Sequence, residues 1–234
     1  MDTQTRRALK QDKFAQATAS GVDWLSLHRQ GAVRWGVGAA VVIALAIGGL
    51  VFYNYRSEAA ETALGAALDV YNAQLAQPGL PPQKNTYNTA GDRAKAANQQ
   101  FLDVAQKYGW LPQGAKAHYF AGVTAETLGQ NAAAESELKA AAGSWDHNLA
   151  NLANLALAGL YHRTSRDQQA IDLYNAVVAS PSETVPAAVA QLQLADLYAA
   201  TGKQDQARAI WAKVKDADKD GAAGSIATQK LNAK

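Results

Sequence analysis

Four histidines, twenty carboxylates and no cysteine are the groups in this chain that could ligate a metal or serve in catalysis. His28, His118, His147 and His162 lie far apart, with no His-x-x-x-His pair and no HExxH. The spacing that sets two imidazoles on one helix face is therefore missing. The lack of cysteine removes disulfides, thiolate zinc sites and thiol catalysis together. It fits an oxidising compartment in which the fold needs no staples. There is no GxxxxGKS/T, GxGxxG or GxSxG string. One stretch has ligand-like spacing: Asp216-Ala217-Asp218-Lys219-Asp220-Gly221 matches the first half of a calcium loop. That loop needs a bidentate Glu at its twelfth position, where this chain has Ala227, and Lys219 adds an opposing charge. A solvated turn is the better reading. The remaining acids and bases are scattered as on a solvated surface, so no catalytic set, metal or cofactor is expected.

The elements that position everything else begin with Trp35 to Tyr53, nineteen residues without a charge, Pro, Asn or Gln. At about 1.5 Å of rise per residue they cover about 28 Å, close to the hydrocarbon core of a bilayer. Residues 1–34 carry six basic and three acidic side chains, whereas residues from 54 onward carry 16 basic and 17 acidic. The positive-inside rule keeps the front in the cytoplasm and carries the rear across. Trp35, Tyr53 and Tyr55 stand at the ends, where amphipathic rings favour the interface. A cleavable signal peptide competes with this reading. Ala44-Leu45-Ala46 is an A-x-A match, but it lies inside the apolar run, and a 34-residue front is long for a signal peptide. A buried core helix is disfavoured, because one face of a soluble helix does not require nineteen apolar positions in succession.

Ala32, Gly36, Ala40, Ala44 and Gly48 recur every four residues and form a small-residue stripe on a helix. Another membrane helix could approach closely along it, and chance in an Ala- and Gly-rich run explains it equally well. In the front, Val22, Trp24, Leu25, Leu27 and His28 suit a short amphipathic helix on the inner membrane surface, against the alternative of a disordered tail.

The near-neutral rear, 179 residues from Arg56, is long enough for one domain and lacks the basic stripe of a nucleic-acid reader. It is rich in Ala, Leu and Gln, which favours helix. Leu157-Ala158-Gly159-Leu160-Tyr161-His162-Arg163-Thr164 matches Leu194-Ala195-Asp196-Leu197-Tyr198-Ala199-Ala200-Thr201 at five of eight positions, with a shift of 37. The match continues through Ala170/Ala207, Leu173/Ile210, Tyr174/Trp211 and Val177/Val214. Each unit reads helix, turn, helix, and the turn is clearest at Thr201-Gly202-Lys203. An earlier, looser unit has Gly122, Gly129, Ala134, Leu138 and Ala141, with Ala125 in place of Tyr. Before it, residues 58–77 predict a helix with Leu64, Leu68, Tyr71 and Leu75 on one face. Residues 78–91 form a Pro- and Gly-containing insertion, and residues 92–108 a second helix with Ala97, Phe101, Val104 and Tyr108 inward.

The pattern resembles the tetratricopeptide repeat, a helix–turn–helix unit that stacks into a solenoid. The resemblance implies an all-α fold in which the first helices line a concave groove. It maps that groove onto Lys116, Tyr119, Val123, Glu126 and Thr127, then Leu152, Leu155, His162 and Arg163, then Val189, Leu192 and Asp196. This mixed, largely apolar lining suits an extended or helical segment of a partner. Packing between neighbouring units competes as the explanation at each position. The organisation is a cytoplasmic segment 1–34, a transmembrane signal anchor 35–55, and a repeat domain 56–234. That domain holds a degenerate unit 58–110, repeats at about 115–148, 151–184 and 188–221, and a capping helix 222–233.

This arrangement is similar to the bacterial YfgM-type family, ancillary to the SecYEG translocon, and LADLYAATGKQDQARAIWAKV carries the best local likeness. The resemblance implies an inner-membrane protein with its C-terminal domain in the periplasm. Its partners would be translocon subunits and membrane-tethered chaperones or folding catalysts, with no small-molecule substrate. A scaffold for cell-wall or outer-membrane assembly, using the same groove, is the alternative.

Overall fold

A computed structural model describes residues 29–76 and 86–233. The readings made for residues 5–28, and for most of the insertion 78–91, lie outside them. The chain divides into two compact units, Met1–Tyr55 and Arg56–Lys234.

The apolar run lies in helix α1, Arg29–Tyr71, which is long and apolar enough to cross a membrane. Val41, Ile43, Leu45, Ile47 and Leu50 are all exposed, and none of the described residues from 33 to 55 is buried. In water this would leave the full apolar area unburied at about 25 cal/mol per Å². No Pro interrupts residues 54–71, so the helix of the run and the predicted helix after it are one element. That element stops earlier than the predicted 77. Leu75 lies beyond its end, 40% exposed and bridged to Tyr87, rather than on its inner face.

The second unit continues with α2 (Ala90–Tyr108), α3 (Pro112–Thr127), α4 (Asn131–Ala142), α5 (His147–Arg163), α6 (Asp167–Ala179), α7 (Ala187–Ala200), α8 (Gln204–Ala217) and α9 (Ala222–Asn232). Local chemistry sets several starts. The Thr89 hydroxyl accepts from the Asp92 amide at 3.0 Å, Asp146 accepts from the Asn148 and Leu149 amides, and Pro112 opens α3. No strand occurs among the described residues.

From α2 onward each helix packs on the next, and short connections make the neighbours antiparallel. Three connections repeat one geometry. Gly129, Ser165 and Gly202 take φ of 72°, 59° and 79°. The amides that follow them, on Gln130, Arg166 and Lys203, donate to the carbonyls of Ala125, Tyr161 and Tyr198 at 2.8–2.9 Å. This is the left-handed helix close, placed 36 and 37 residues apart.

The core repeats with the same period. Ala97, Ala134, Ala170 and Ala207 are fully buried, one on each of α2, α4, α6 and α8. One turn on come Phe101, Leu138, Tyr174 and Trp211, then Val104, Ala141, Val177 and Val214, all buried. Ala117, Ala153, Ala190 and Ala227 do the same on α3, α5, α7 and α9. The small slots let helices close on each other. A Cβ on Gly122 would stand 2.6 Å from Leu138 Cγ. Ala60, Leu64 and Ala67 of α1 join Ala97, Phe101, Val104 and Tyr108 in a cluster of their own. A second cluster gathers α3 to α7, and a third joins α7, α8 and α9, so the core is a row of small cores. Buried amides pin neighbours together: Asn98 donates to Ala121 O and Thr124 Oγ1, both at 2.9 Å, and Asn151 donates to Ser180 O at 2.8 Å.

Candidate partner-binding surface

The residues predicted to line a groove fall on the first helices of successive hairpins. Lys116, Tyr119, Val123, Glu126 and Thr127 lie on α3. Leu152, Leu155, His162 and Arg163 lie on α5, and Val189, Leu192 and Asp196 on α7. With α3, α5 and α7 in register, three sets share positions: 116, 152 and 189; 119, 155 and 192; 123, 159 and 196.

The Thr127 hydroxyl donates to Val123 O of its own helix at 3.0 Å, and the structure sorts the other residues into three groups. Tyr119, Val123 and Leu155 are half-buried and pack on the central cluster, and Leu192 packs on the last one. Burial raises the Tyr119 hydroxyl pKa above its ordinary value, with the nearby Tyr71 and Glu126 adding to the rise. These four side chains serve the packing of neighbouring hairpins. A second group is held in ion pairs. Arg163 pairs with Glu126 across α3 and α5, and Asp196 meets Lys230 of α9 at 2.9 Å. His162 Nδ1 lies 2.7 Å from Asp167 Oδ1 within its own hairpin. At position 159 a glycine leaves room for the Arg163 guanidinium, which would touch a Cβ there at 3.2 Å.

The third group stays open. Lys116 is exposed and Val189 is 38% exposed, whereas Leu152 at the same position is half-buried and packs on the Val177, Val185 and Ala190 cluster. Ile226 of α9, which the sequence reading did not single out, continues this column 37 residues after Val189 and is 44% exposed. It could have been found by carrying the repeat register through the terminal helix.

A charged cluster outside the mapped set ties α4 to the turn after α5. Glu135 accepts from Lys139 at 2.7 Å and from Tyr161 OH at 3.1 Å, and its other oxygen lies 2.7 Å from Arg166. The Lys139 hydrogen bond, then that of Arg166, lowers the Glu135 carboxyl pKa to about 2 despite partial burial. The Arg166 guanidinium also lies 4.2 Å from the centre of the Tyr161 ring. The i,i+4 spacing of Glu135 and Lys139 was readable in the sequence; their partners on the next hairpin were not.

The calcium-like stretch is occupied by its own backbone. Asp218 Oδ2 accepts from the Gly224 amide at 3.1 Å and Asp218 O from the Gly221 amide at 3.2 Å. Among the described residues no three His, Asp or Glu side chains are grouped to hold a metal. In α1, Gly36, Ala40, Ala44 and Gly48 are exposed, with open space where a Cβ would stand on either glycine.

Comparison of the chain with known protein families, characterised proteins and solved structures returns no match.

Proposed function

We propose that this chain is a membrane-anchored protein–protein interaction module with no enzymatic activity. Residues 35–55 cross the bacterial inner membrane, the basic front stays in the cytoplasm, and the helical unit from Arg56 lies in the periplasm. The hairpins form a tetratricopeptide-like solenoid, and the first helices present its groove to a protein segment. Tethering raises the effective concentration of that groove near membrane machinery. By its resemblance to the YfgM-type family, the module serves the translocon together with a membrane-tethered chaperone or folding catalyst.

One observation supports the reading most. Val189 and Ile226 hold equivalent positions on α7 and α9 and leave apolar surface open, with Lys116 and the half-buried Leu152 at the same position on α3 and α5. Such a column suits alternate side chains of a docked segment. Photo-crosslinkers at Lys116 and Val189 in the full chain, activated in cells, test it. Adducts with translocon subunits or emerging secreted chains are expected. Adducts only with cell-wall or outer-membrane assembly proteins would move the reading to an envelope scaffold. Adducts no stronger than those from Lys213, an exposed residue of α8, would overturn the groove.

A further inference from the structure

The first hairpin of the helical unit departs from the others at its turn. Three residues join α3 to α4, α5 to α6 and α7 to α8, whereas eighteen, 72–89, join α1 to α2. The helices on either side keep the repeat. Ala60 of α1 is fully buried like Ala117, Ala153, Ala190 and Ala227, and Leu64, four residues on, matches buried Ala121, Leu157 and Leu194. The far end of the long connection returns to the end of α1 and is pinned there. The Tyr87 amide donates to Gln74 O at 3.1 Å, the Ala76 amide to Tyr87 O at 2.8 Å, and Arg93 Nη1 to Ala73 O at 2.8 Å. A cavity of about 270 Å³ lies between this segment and the two helices, lined by Ala66, Asp69, Val70, Ala73, Tyr87 and Gln100. Insertions within a repeat array often shape its binding face.

The register gives this lining its meaning. Ala66, Asp69 and Val70 hold on α1 the positions of Val123, Glu126 and Thr127 on α3. On α3 the acid is answered within the chain. Arg163 of α5, at the position of Thr127 one hairpin later, pairs with Glu126. The matching position for Asp69 is Thr127 itself, which carries no charge and turns its hydroxyl to Val123 O. Among the described residues Asp69 forms no ion pair. Arg93 lies outside the lining, held by Ala73 O, so the cavity walls carry one carboxylate and no cation. They also lie at the C-terminal end of α1, where the helix dipole favours positive charge.

We propose that this cavity takes a basic side chain, arginine or lysine, from the protein segment that docks on the helical unit. The inference rests on the reading of that unit as a groove for such a segment. Ala66, Val70 and Ala73 offer the aliphatic stem a short apolar bed. Asp69 takes the charged end, with the Tyr87 hydroxyl and the Gln100 amide oxygen as further acceptors in the lining. The partner thus brings to Asp69 the charge that Arg163 brings to Glu126. A segment with an acid at the same place meets Asp69 as a like charge and is rejected.

Fluorotyrosine placed at Tyr87 in the full chain, held in detergent micelles, reports on the cavity by fluorine NMR. Acetyl-arginine amide should shift its signal saturably. Acetyl-citrulline amide, of the same shape without the charge, should not. Asp69 is exposed, so Asp69→Asn should fold as the parent chain does and weaken the arginine response about tenfold or more. Asp103→Asn removes an exposed acid of α2 outside the lining and should leave the response unchanged. Equal responses to both probes, a response that survives Asp69→Asn, or no response at all would each overturn the site. A response gained only with Lys84→Ala would give the cavity to the chain's own connection and overturn a partner's. The groove is judged separately by the Val189 crosslinks. Adducts there without a probe response would remove the cavity alone, and a probe response without them would remove the groove.

Discussion

Residues 35–53 and the helices beyond Arg56 draw on the same small vocabulary of Ala, Leu, Gly and Val, and the structure treats them in opposite ways. In the first stretch alanines and glycines are exposed on every side of α1. In the second, alanines at one slot of four successive hairpins are fully buried. The difference lies in the polar residues between them. Where none interrupts the run, a helix has no wet face, and lipid is the solvent that satisfies it. Where Gln, Lys and Asp recur, each helix has an inner stripe, and the smallest residues on it set how closely its neighbour approaches.

Breaking the lipid side should give the largest effect. Leu45→Arg with Ile47→Arg places two charges near the centre of the run, each costing about 2.5–3.5 kcal/mol in a bilayer. The chain should leave the membrane fraction on carbonate extraction; retention would mean that α1 is not the anchor. In the helical unit, Trp211→Ala should destabilise by about 3–5 kcal/mol in denaturant melts, because the ring fills the last core cluster. The same change at exposed Trp145 should fall within about 0.5 kcal/mol of zero. Equal losses at both sites would deny the distinction between a core slot and an edge slot.

The turns offer a finer comparison. Ser165 holds a left-handed φ of 59° where its equivalents are Gly129 and Gly202. Ser165→Gly should stabilise, and Gly202→Ser destabilise, each by about 1 kcal/mol in the same melts. The smallest effect concerns acid. Glu135 has a folded pKa of about 2 against an ordinary 4.5. Its ion pairs therefore contribute fully above the unfolded value, and the contribution is lost as pH falls from about 4.5 toward 2. Glu135→Gln should flatten that part of the melting-temperature profile and leave the slope above pH 6 unchanged.

Much of the helical unit was legible because Leu157–Thr164 and Leu194–Thr201 repeat so closely. The same slots on α2, at Ala97, Phe101 and Val104, were read as one face of a helix in a degenerate unit, without the register that aligns them with Ala134, Leu138 and Ala141. Twenty extra residues separate them from Leu68 on α1, compared with the later hairpins, and break the period. The end of α1 was misplaced because Pro78 looked like its stop, whereas the chain leaves the helix after Tyr71. The positions expected to line a groove were legible as places in a register, since Lys116, Leu152 and Val189 share one. What those side chains touch was not. Glu126 meets Arg163 and Asp196 meets Lys230 through contacts between hairpins that no local spacing records.

The central claim is that α1 carries the helical unit to the far side of the membrane. A single cysteine at Ser225, exposed on α9, tests it most directly with a membrane-impermeant maleimide on spheroplasts. The account predicts full labelling of intact spheroplasts, with no gain on lysis and loss of the membrane-bound labelled form in the Leu45→Arg, Ile47→Arg chain. Labelling that requires lysis would contradict it.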